Sequence, residues 1–411
     1  QELLDIQFIF VSGTPPRDVI SVENLYPQGL YRYSELADDS VLKARDLVLN
    51  PSAGSYMLRA RISGHGHNGP RNCCEWDSKT HSYYINGWDH FRWNVWKDCG
   101  FNPIYPQGGT WPFDRAGWCP GTKVDEYDFD LTPFVHPGDT VTIDYSIEMY
   151  RDNGEKDGEF RMSHQLFTYG PPNFRLDAAI EDIIAPSDKD SYSRVNPICG
   201  SPVVVIRNLG AQPLQKLTIT YGLKDGPRAE YLWTGSLGFL EREEVSLPAP
   251  DWMDFEGPTV FEVSLSEPNG KDDERPHNNL MHSKVVAPEL LPAEFVLYIE
   301  PNDLGRDRDN AYTLSDACGA VLMERADFTT DTLFRDTIRL AGGCYEFRLT
   351  DKVEDGMNRR WWYYYDNPEL MGKNGKVEIH DTEGNVLRKF PYDFGQEILY
   401  RFRVKGGKFE F

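Results

Sequence analysis

Apolar and polar residues alternate in short runs along most of this chain, and turn residues separate the runs. In VTIDYSIEMY (141–150), Val141, Ile143, Tyr145, Ile147 and Met149 alternate with Thr142, Asp144, Ser146 and Glu148, the period of a strand with one buried and one wet face. FRMSHQLFTYG (160–170) is a second strand-like run. SPVVVIRNLG (201–210), LTITYGL (217–223) and TVFEVSLSEPNG (259–270) repeat the pattern. FVLYIEP, AVLMERADF, CYEFRLTD, GKVEIHDTEGNVL and ILYRFRVKGG carry it onward, with Asp, Gly and Asn at the turns. Helix signals are scarce. Two proline-bearing bridges, YGPPNFRLD (169–177) and APELLPAEF (287–295), punctuate the pattern. The expectation is an all-β chain of three β-sandwich domains at 1–170, 171–288 and 289–411, the middle one with the strand spacing of an immunoglobulin-like sandwich and the last a further β-sandwich.

Composition agrees. A chain of 411 residues exceeds one ordinary core, and its 28 prolines, 35 glycines and 13% aromatic content suit sandwiches joined by turns. The net charge of −22 repels phosphate backbones and anionic lipid, which argues against nucleic acid and membrane-surface partners. No apolar run reaches the roughly 18–20 residues of a bilayer span, so membrane insertion is not expected. No export signal opens the sequence, and one present at synthesis would have been removed. The seven cysteines, at 73, 74, 99, 119, 199, 318 and 344, form no CxxC pair, which disfavours a zinc ribbon or a thioredoxin-like site. In an all-β chain disulfides are the better use for some of them. That places the protein in an oxidising compartment, secreted, periplasmic or at the cell surface. The odd count leaves at least one thiol unpaired within the chain.

Candidate chemistry concentrates in the first domain. In the second, NGKDDERPHNN (269–279) suits an acidic turn better than a cation loop. In the third, RRWWYYYDNP (359–368) is either an exposed sugar-stacking platform or a buried strand with its edge loop. The first holds GHGHNGPRNCCEWDSKTH (64–81), which three kinds of site could explain. His65 and His67 form an HxH pair which, with Met149, Met162, His81 or His164, would make a copper or zinc set. Adjacent Cys73 and Cys74 point in opposite directions on extended backbone, so one could enter a disulfide while the other packs inside, and His67 or His81 could activate a free thiol. Glu75, beside Trp76, is the carboxylate candidate, its proton affinity raised by partial burial.

Further on, WKDCGFNPIYPQGGTWPFDRAGWCPG (96–121) places Cys99 and Cys119 around a segment rich in Pro, Gly and Trp. A disulfide there would add about 3 kcal/mol. It would also hold Trp111, Asp114, Arg115 and Trp118 as an aromatic and ionic group of the kind that grips sugar rings and amides.

The order ISGHGHN, CCEWDSKTH, CGFNP and DRAGWCPG resembles the second domain of the bacterial peptide-N-glycosidase F family, whose jelly-roll fold is shared with peptidylglycine monooxygenases. DRAGWCPG is the most specific element. LDIQFIFVSGTPPRD (4–18) is similar to the exit from that family's first domain, so the resemblance covers about residues 4–170. The later domains look like accessory modules of secreted proteins from Bacteroidetes-type bacteria. The resemblance implies hydrolysis of the amide between N-acetylglucosamine and an asparagine side chain of an N-linked glycoprotein, with no cofactor and no metal. Glu75 would be the catalytic glutamate. Trp76, Arg115, Trp118 and His67 would meet the substrate, and Cys99 and Cys119 would close the Trp-rich loop.

The sequence departs from the family in two ways. Asp77 stands where the family has a cysteine after Glu-Trp, which removes a local disulfide, and Cys74 takes a position the family leaves small. The family's principal catalytic aspartate lies in a first sandwich, of which residues 4–12 would be only the last strand. An upstream domain or fragment would therefore complete the site, unless Asp77, Asp114, Glu148 or Asp152 substitutes. The alternatives are a non-catalytic glycan- or glycoprotein-binding surface protein, or a copper monooxygenase-like protein using His65, His67 and Met149.

Overall fold

The computed structural model describes residues 7–8, 10, 12–66, 73–151, 157–249, 259–360 and 363–405. Strand takes 49% and helix 7%, which makes the chain all-β. The alternating runs organise it, because each buries one face and must find a second sheet to cover it.

The first core lies between two four-stranded antiparallel sheets. Its elements are β1 (Arg17–Arg32), α1 (Tyr33–Ala37), β2 (Arg45–Val48), β3 (Ser55–His65), β4 (Lys79–Ile85), β5 (Trp88–Val95), β6 (Glu126–Asp130), β7 (Thr140–Ile147) and β8 (Glu159–Pro172). One sheet has the order β1-β8-β3-β6 and the other β2-β7-β4-β5, the arrangement of an eight-stranded jelly roll. Leu58, Ala60 and Ile62 of β3, Tyr83 and Ile85 of β4, Val141 and Ile143 of β7, and Phe160 and Met162 of β8 share the buried cluster between the sheets.

Alternation succeeds along β7 up to its end. Val141, Ile143, Tyr145 and Ile147 are buried, but Met149, the next member of the series, is 77% exposed because the strand stops at Ile147. β1 runs through Pro27, which alternation does not anticipate. The register with β8 jumps between Tyr26 and Gly29, so the proline occupies an irregular stretch of an edge strand, a place that needs no ladder donor. Residues 7, 8, 10 and 12 belong to no strand, and Phe8 and Phe10 are exposed. The strand expected over 4–12 is thus not seen at its described positions, which pair with no strand among the described residues.

The second core packs a three-stranded sheet, β13-β10-β9, against a four-stranded one, β12-β11-β14-β15. Its strands are β9 (Ala178–Ala185), β10 (Val203–Asn208), β11 (Leu214–Leu223), β12 (Arg228–Leu237), β13 (Arg242–Ser246), β14 (Thr259–Ser266) and β15 (Leu280–Val285). The third core holds β16 (Glu289–Leu291), β17 (Glu294–Glu300), β18 (Asn310–Asp316), β19 (Val321–Arg325), β20 (Phe334–Arg339), β21 (Gly343–Asp351), β22 (Lys376–His380), β23 (Val386–Phe390) and β24 (Glu397–Val404). Its sheets run β16-β24-β21-β18-β19 and β20-β17-β22-β23. β16, inside the APELLPAEF bridge, pairs parallel with β24.

In the acidic turn of the second core, Asp273 accepts from the backbone N–H of Ala178 and Arg275, and Glu274 from that of Arg175. The turn fastens the start of β9. RRWWYYYDNP is not a strand among its described residues. Tyr363 to Asp366 form a local turn, Asn367 N–H returning to Tyr363 O, and Tyr365 is 88% exposed. Consecutive aromatics give no alternation, so neither sheet face can take them. Trp361 and Trp362 lie outside the described residues.

The three cores are tied together. Cys199, before β10, is bonded to Cys344 of β21 across 145 positions. Buried Arg194 donates through Nε to Asn102 O of the first unit (2.8 Å), and through Nη1 and Nη2 to Glu397 O (2.9 Å) and Phe394 O (3.0 Å) of the third. The long loop of the first unit thereby faces the third rather than open solvent.

Candidate active site

Glu75 is held between the end of β3 and the DRAGWC segment. Its N–H donates to Gly66 O at 3.0 Å, its carbonyl accepts from Ala116 N–H at 3.0 Å, and Ala116 O accepts from Gly64 N–H at 2.9 Å. This weave needs glycine at 64, where a Cβ would stand 1.7 Å from Cys74 O. It also needs glycine at 117, where φ is +78° and a Cβ would come within 2.2 Å of Ile62 O.

Cys73 and Cys74 do not point apart, as extended backbone would have them. The peptide between them is cis, their Cα atoms are 2.9 Å apart, and the two sulfurs are bonded to each other. Neither is a free thiol or a partner for a distant cysteine. Cys99 and Cys119 are bonded as expected, and the seventh cysteine, Cys318, is free and exposed.

The loop closed by Cys99–Cys119 delivers Arg115. Backbone bonds pair Lys97 with Arg115 in both directions (2.8 and 3.1 Å), and Asp114 Oδ1 accepts from Cys99 N–H at 2.9 Å. Arg115 is 2% exposed. Its Nη2 donates to the carbonyl and hydroxyl oxygens of Thr110, and its Nε lies 3.7 Å from Glu75 Oε1. The guanidinium carbon sits 4.5 Å from the Trp76 ring and 4.8 Å from the Trp118 ring, so the cation is held between two indoles. Trp118 Nε1 donates to Gly64 O at 2.9 Å, His65 packs on the Trp118 ring, and Trp76 meets Phe113 edge-on. Burial lowers the Arg115 pKa and Glu75 opposes it, yet a guanidinium stays cationic across the physiological range. The cluster therefore combines a fixed positive charge, a half-buried carboxylate and two aromatic walls. Such a set can polarise a carbonyl, orient a water and stack on a sugar.

The other sequence candidates separate from this cluster. Trp111 is not a wall of it: the residue is 1% exposed and its indole N–H donates to Asp393 Oδ1 of the third unit at 2.8 Å. Asp114 joins Asp98 and Glu354, whose carboxylate oxygens all lie within 4.8 Å of one another. Burial raises the pKa of Asp114 and of Glu354, and Asp98 adds to both shifts. That group offers oxygen donors from two units. Asp77 and Glu148 flank the buried Lys79 ammonium at 2.5 and 3.6 Å. His67 and Asp152 lie outside the described residues. Of the copper set, His65 Nε2 contacts Ser63 Oγ at 2.9 Å and Met149 is out in solvent. Among the other ligand candidates, Met162 is buried in the core, and His81 and His164 are buried against tyrosine hydroxyls.

Residues 32–167, which carry this cluster, match the family described as peptide-N-glycosidase F, C terminal. The matched segment is similar to the C-terminal domain of the peptide-N-glycosidase F family. The amidase F of Elizabethkingia miricola, peptide-N(4)-(N-acetyl-beta-D-glucosaminyl)asparagine amidase F, is 37% identical over 127 residues, 28% of this chain and 34% of that protein. The solved structure of PNGase F, a glycosylasparaginase from Flavobacterium meningosepticum, is 29% identical with a TM-score of 0.34, over 39% of this chain and 55% of that one. PNGF-II is 23% identical with a TM-score of 0.27, over 34% of this chain and 26% of its own. The chain thus spans about a third of the length of the curated relative it matches.

Sequence reasoning missed Thr110, Phe113 and Asp393. Thr110 and Phe113 stand beside the DRAGW run, and proximity to Arg115 was a usable signal. Asp393 is 282 positions from Trp111, and no local pattern could pair them.

Proposed function

We propose that this protein is part of a secreted glycoprotein amidase, which hydrolyses the bond between N-acetylglucosamine and an asparagine side chain and releases the N-linked glycan. The observation that carries the proposal is the Arg115 guanidinium between Trp76 and Trp118, beside Glu75, inside the segment that matches the glycosidase family. An amide is a poor electrophile, so hydrolysis needs a carboxylate to orient or deprotonate water and a donor for the charge that develops on the carbonyl oxygen. Glu75 and Arg115 have those properties, and the two indoles suit the apolar faces of a chitobiose core. The catalytic aspartate of the family would come from an upstream domain or fragment. The three disulfides are consistent with an exported protein.

The test is glycan release from a denatured N-glycoprotein by the full natural protein. Glu75→Gln is expected to lower release by at least ~10²-fold. Arg115→Lys, which loses the planar fork between the indoles, is expected to do the same. Absence of release from the full protein would sink the proposal, and glycan binding without release would turn it into a binding protein.

A further inference from the structure

The loop that presents Arg115 is anchored from outside its own unit. Asp393, between β23 and β24 of the third unit, is 4% exposed. Its Oδ2 accepts from Gly108 N–H at 2.8 Å, and its Oδ1 accepts from Trp111 Nε1 at 2.8 Å and from Asn358 Nδ2 at 3.3 Å. Both oxygens are therefore committed to fixed donors, two of them in the loop. An ionised carboxylate can serve both, since it accepts at each oxygen. Around it the units are in close contact. Gln396 N–H donates to Gly100 O at 3.0 Å, and a Cβ on Gly395 would fall 2.4 Å from that oxygen and 2.9 Å from the Trp111 ring.

Thr110 lies between the two anchored positions, Gly108 and Trp111, so its backbone has little freedom to shift. It is Thr110 that receives Arg115 Nη2 on both its carbonyl and hydroxyl oxygens. A guanidinium is rigid and planar, so pinning one end fixes the direction of the other. The other end is the Nε that faces Glu75 Oε1. It is buried and has no hydrogen-bond partner among the described residues, so apart from the two indole faces only the Thr110 contacts set its direction.

We propose that Asp393 is a positioning residue for the Glu75–Arg115 pair, acting through Gly108, Trp111 and Thr110, so that the third unit is a working part of the site and not an appended module. Its expected effect on turnover rests on the amidase proposal above; the structural link does not.

Two variants of the full protein test this. Asp393→Asn keeps the side-chain shape but sets an N–H against one of the loop donors. Trp111→Phe keeps a large ring and removes only the indole N–H, so it serves if the first variant fails to fold. The first measurement is the NMR signal of the Arg115 Nε–H, identified by its absence in Arg115→Lys. In both variants that signal should shift, and its exchange with solvent should quicken at least tenfold. In glycan release, kcat should fall at least tenfold with KM within about twofold, inside the ~10²-fold that a misplacement of about 1 Å costs. Folded variants with the parent Arg115 signal would overturn the proposal. An altered signal in a parent that releases no glycan would leave the link standing and remove the amidase reading. Release by the parent that the variants leave unchanged would remove the positioning role and leave the amidase standing.

Discussion

The Tyr83 hydroxyl and His164 Nδ1 lie 2.5 Å apart, both buried at the centre of the jelly roll. His81 Nδ1 makes the matching contact with the Tyr145 hydroxyl at 2.6 Å. Burial holds both imidazoles neutral, pushing each pKa down to about 3. The histidines often recruited as metal ligands or bases are here polar parts of the core. Their ring signals should stay unmoved in an NMR titration from pH 7 to 5. The folded pKa values are depressed, so their contribution to stability is complete above the unfolded value of about 6.5 and is lost as pH falls toward 3. At pH 5 each should have cost about 2 kcal/mol. Titration of either ring near pH 6.5 would contradict the packing described.

Asp351 should behave in the opposite sense. Burial and the nearby Asp355 and Asp309 charges push its pKa up to about 8, so its contribution is present below the ordinary value of 3.8 and is lost as pH rises through about 8. Its Oδ1 accepts from the N–H groups of Val353 and Asp355, and an asparagine oxygen can do the same. Asp351→Asn should therefore exceed the parent in stability at pH 8 by about 1–3 kcal/mol, and the gap should close toward pH 4. Denaturant melts at the two pH values measure it, and a gap that widens in acid would refute it.

Gly64→Ala should damage the site through the backbone. Its new methyl would meet Cys74 O at 1.7 Å, and the segment that must move carries Glu75. The loss should be about 2 kcal/mol or more, read by chemical denaturation. Parent-like stability would mean that the 64–75 contact is looser than described.

A thiol titration of the native, unreduced protein should find one reactive group, Cys318, because the other six cysteines are paired. Replacing Cys199 and Cys344 together by serine frees a loop of 145 positions and should cost up to about 5 kcal/mol by chain entropy. Three or more native thiols would show one of the pairs to be absent.

Much of the fold was legible because strands write a period of two into the chain, and β7, β8, β10, β11 and β14 all stood out. The Glu75, Trp76, Arg115 and Trp118 group was also legible, through motifs whose members are local in sequence. What escaped was set by distance or by local backbone. Trp111 reads as a binding aromatic until Asp393 is seen beside it. Met149 continues the alternation on paper, although the strand ends two residues earlier. The Cys73–Cys74 bond joins chain neighbours, a pairing that residue identity does not announce. Pro27 reads as a break, and an edge strand absorbs it.

Arg194 has a practical consequence for anyone wishing to shorten this protein. It belongs to the middle of the chain, yet its guanidinium donates to carbonyls on either side, Asn102 in the first unit and Phe394 and Glu397 in the third. A fragment trimmed to the family-matching residues would surrender that shared donor. The face that receives the third unit would be laid bare, with the buried Trp111 newly wetted. Dissection by domain would thus study a different surface, and whatever activity the whole possesses should be sought in the uncut chain.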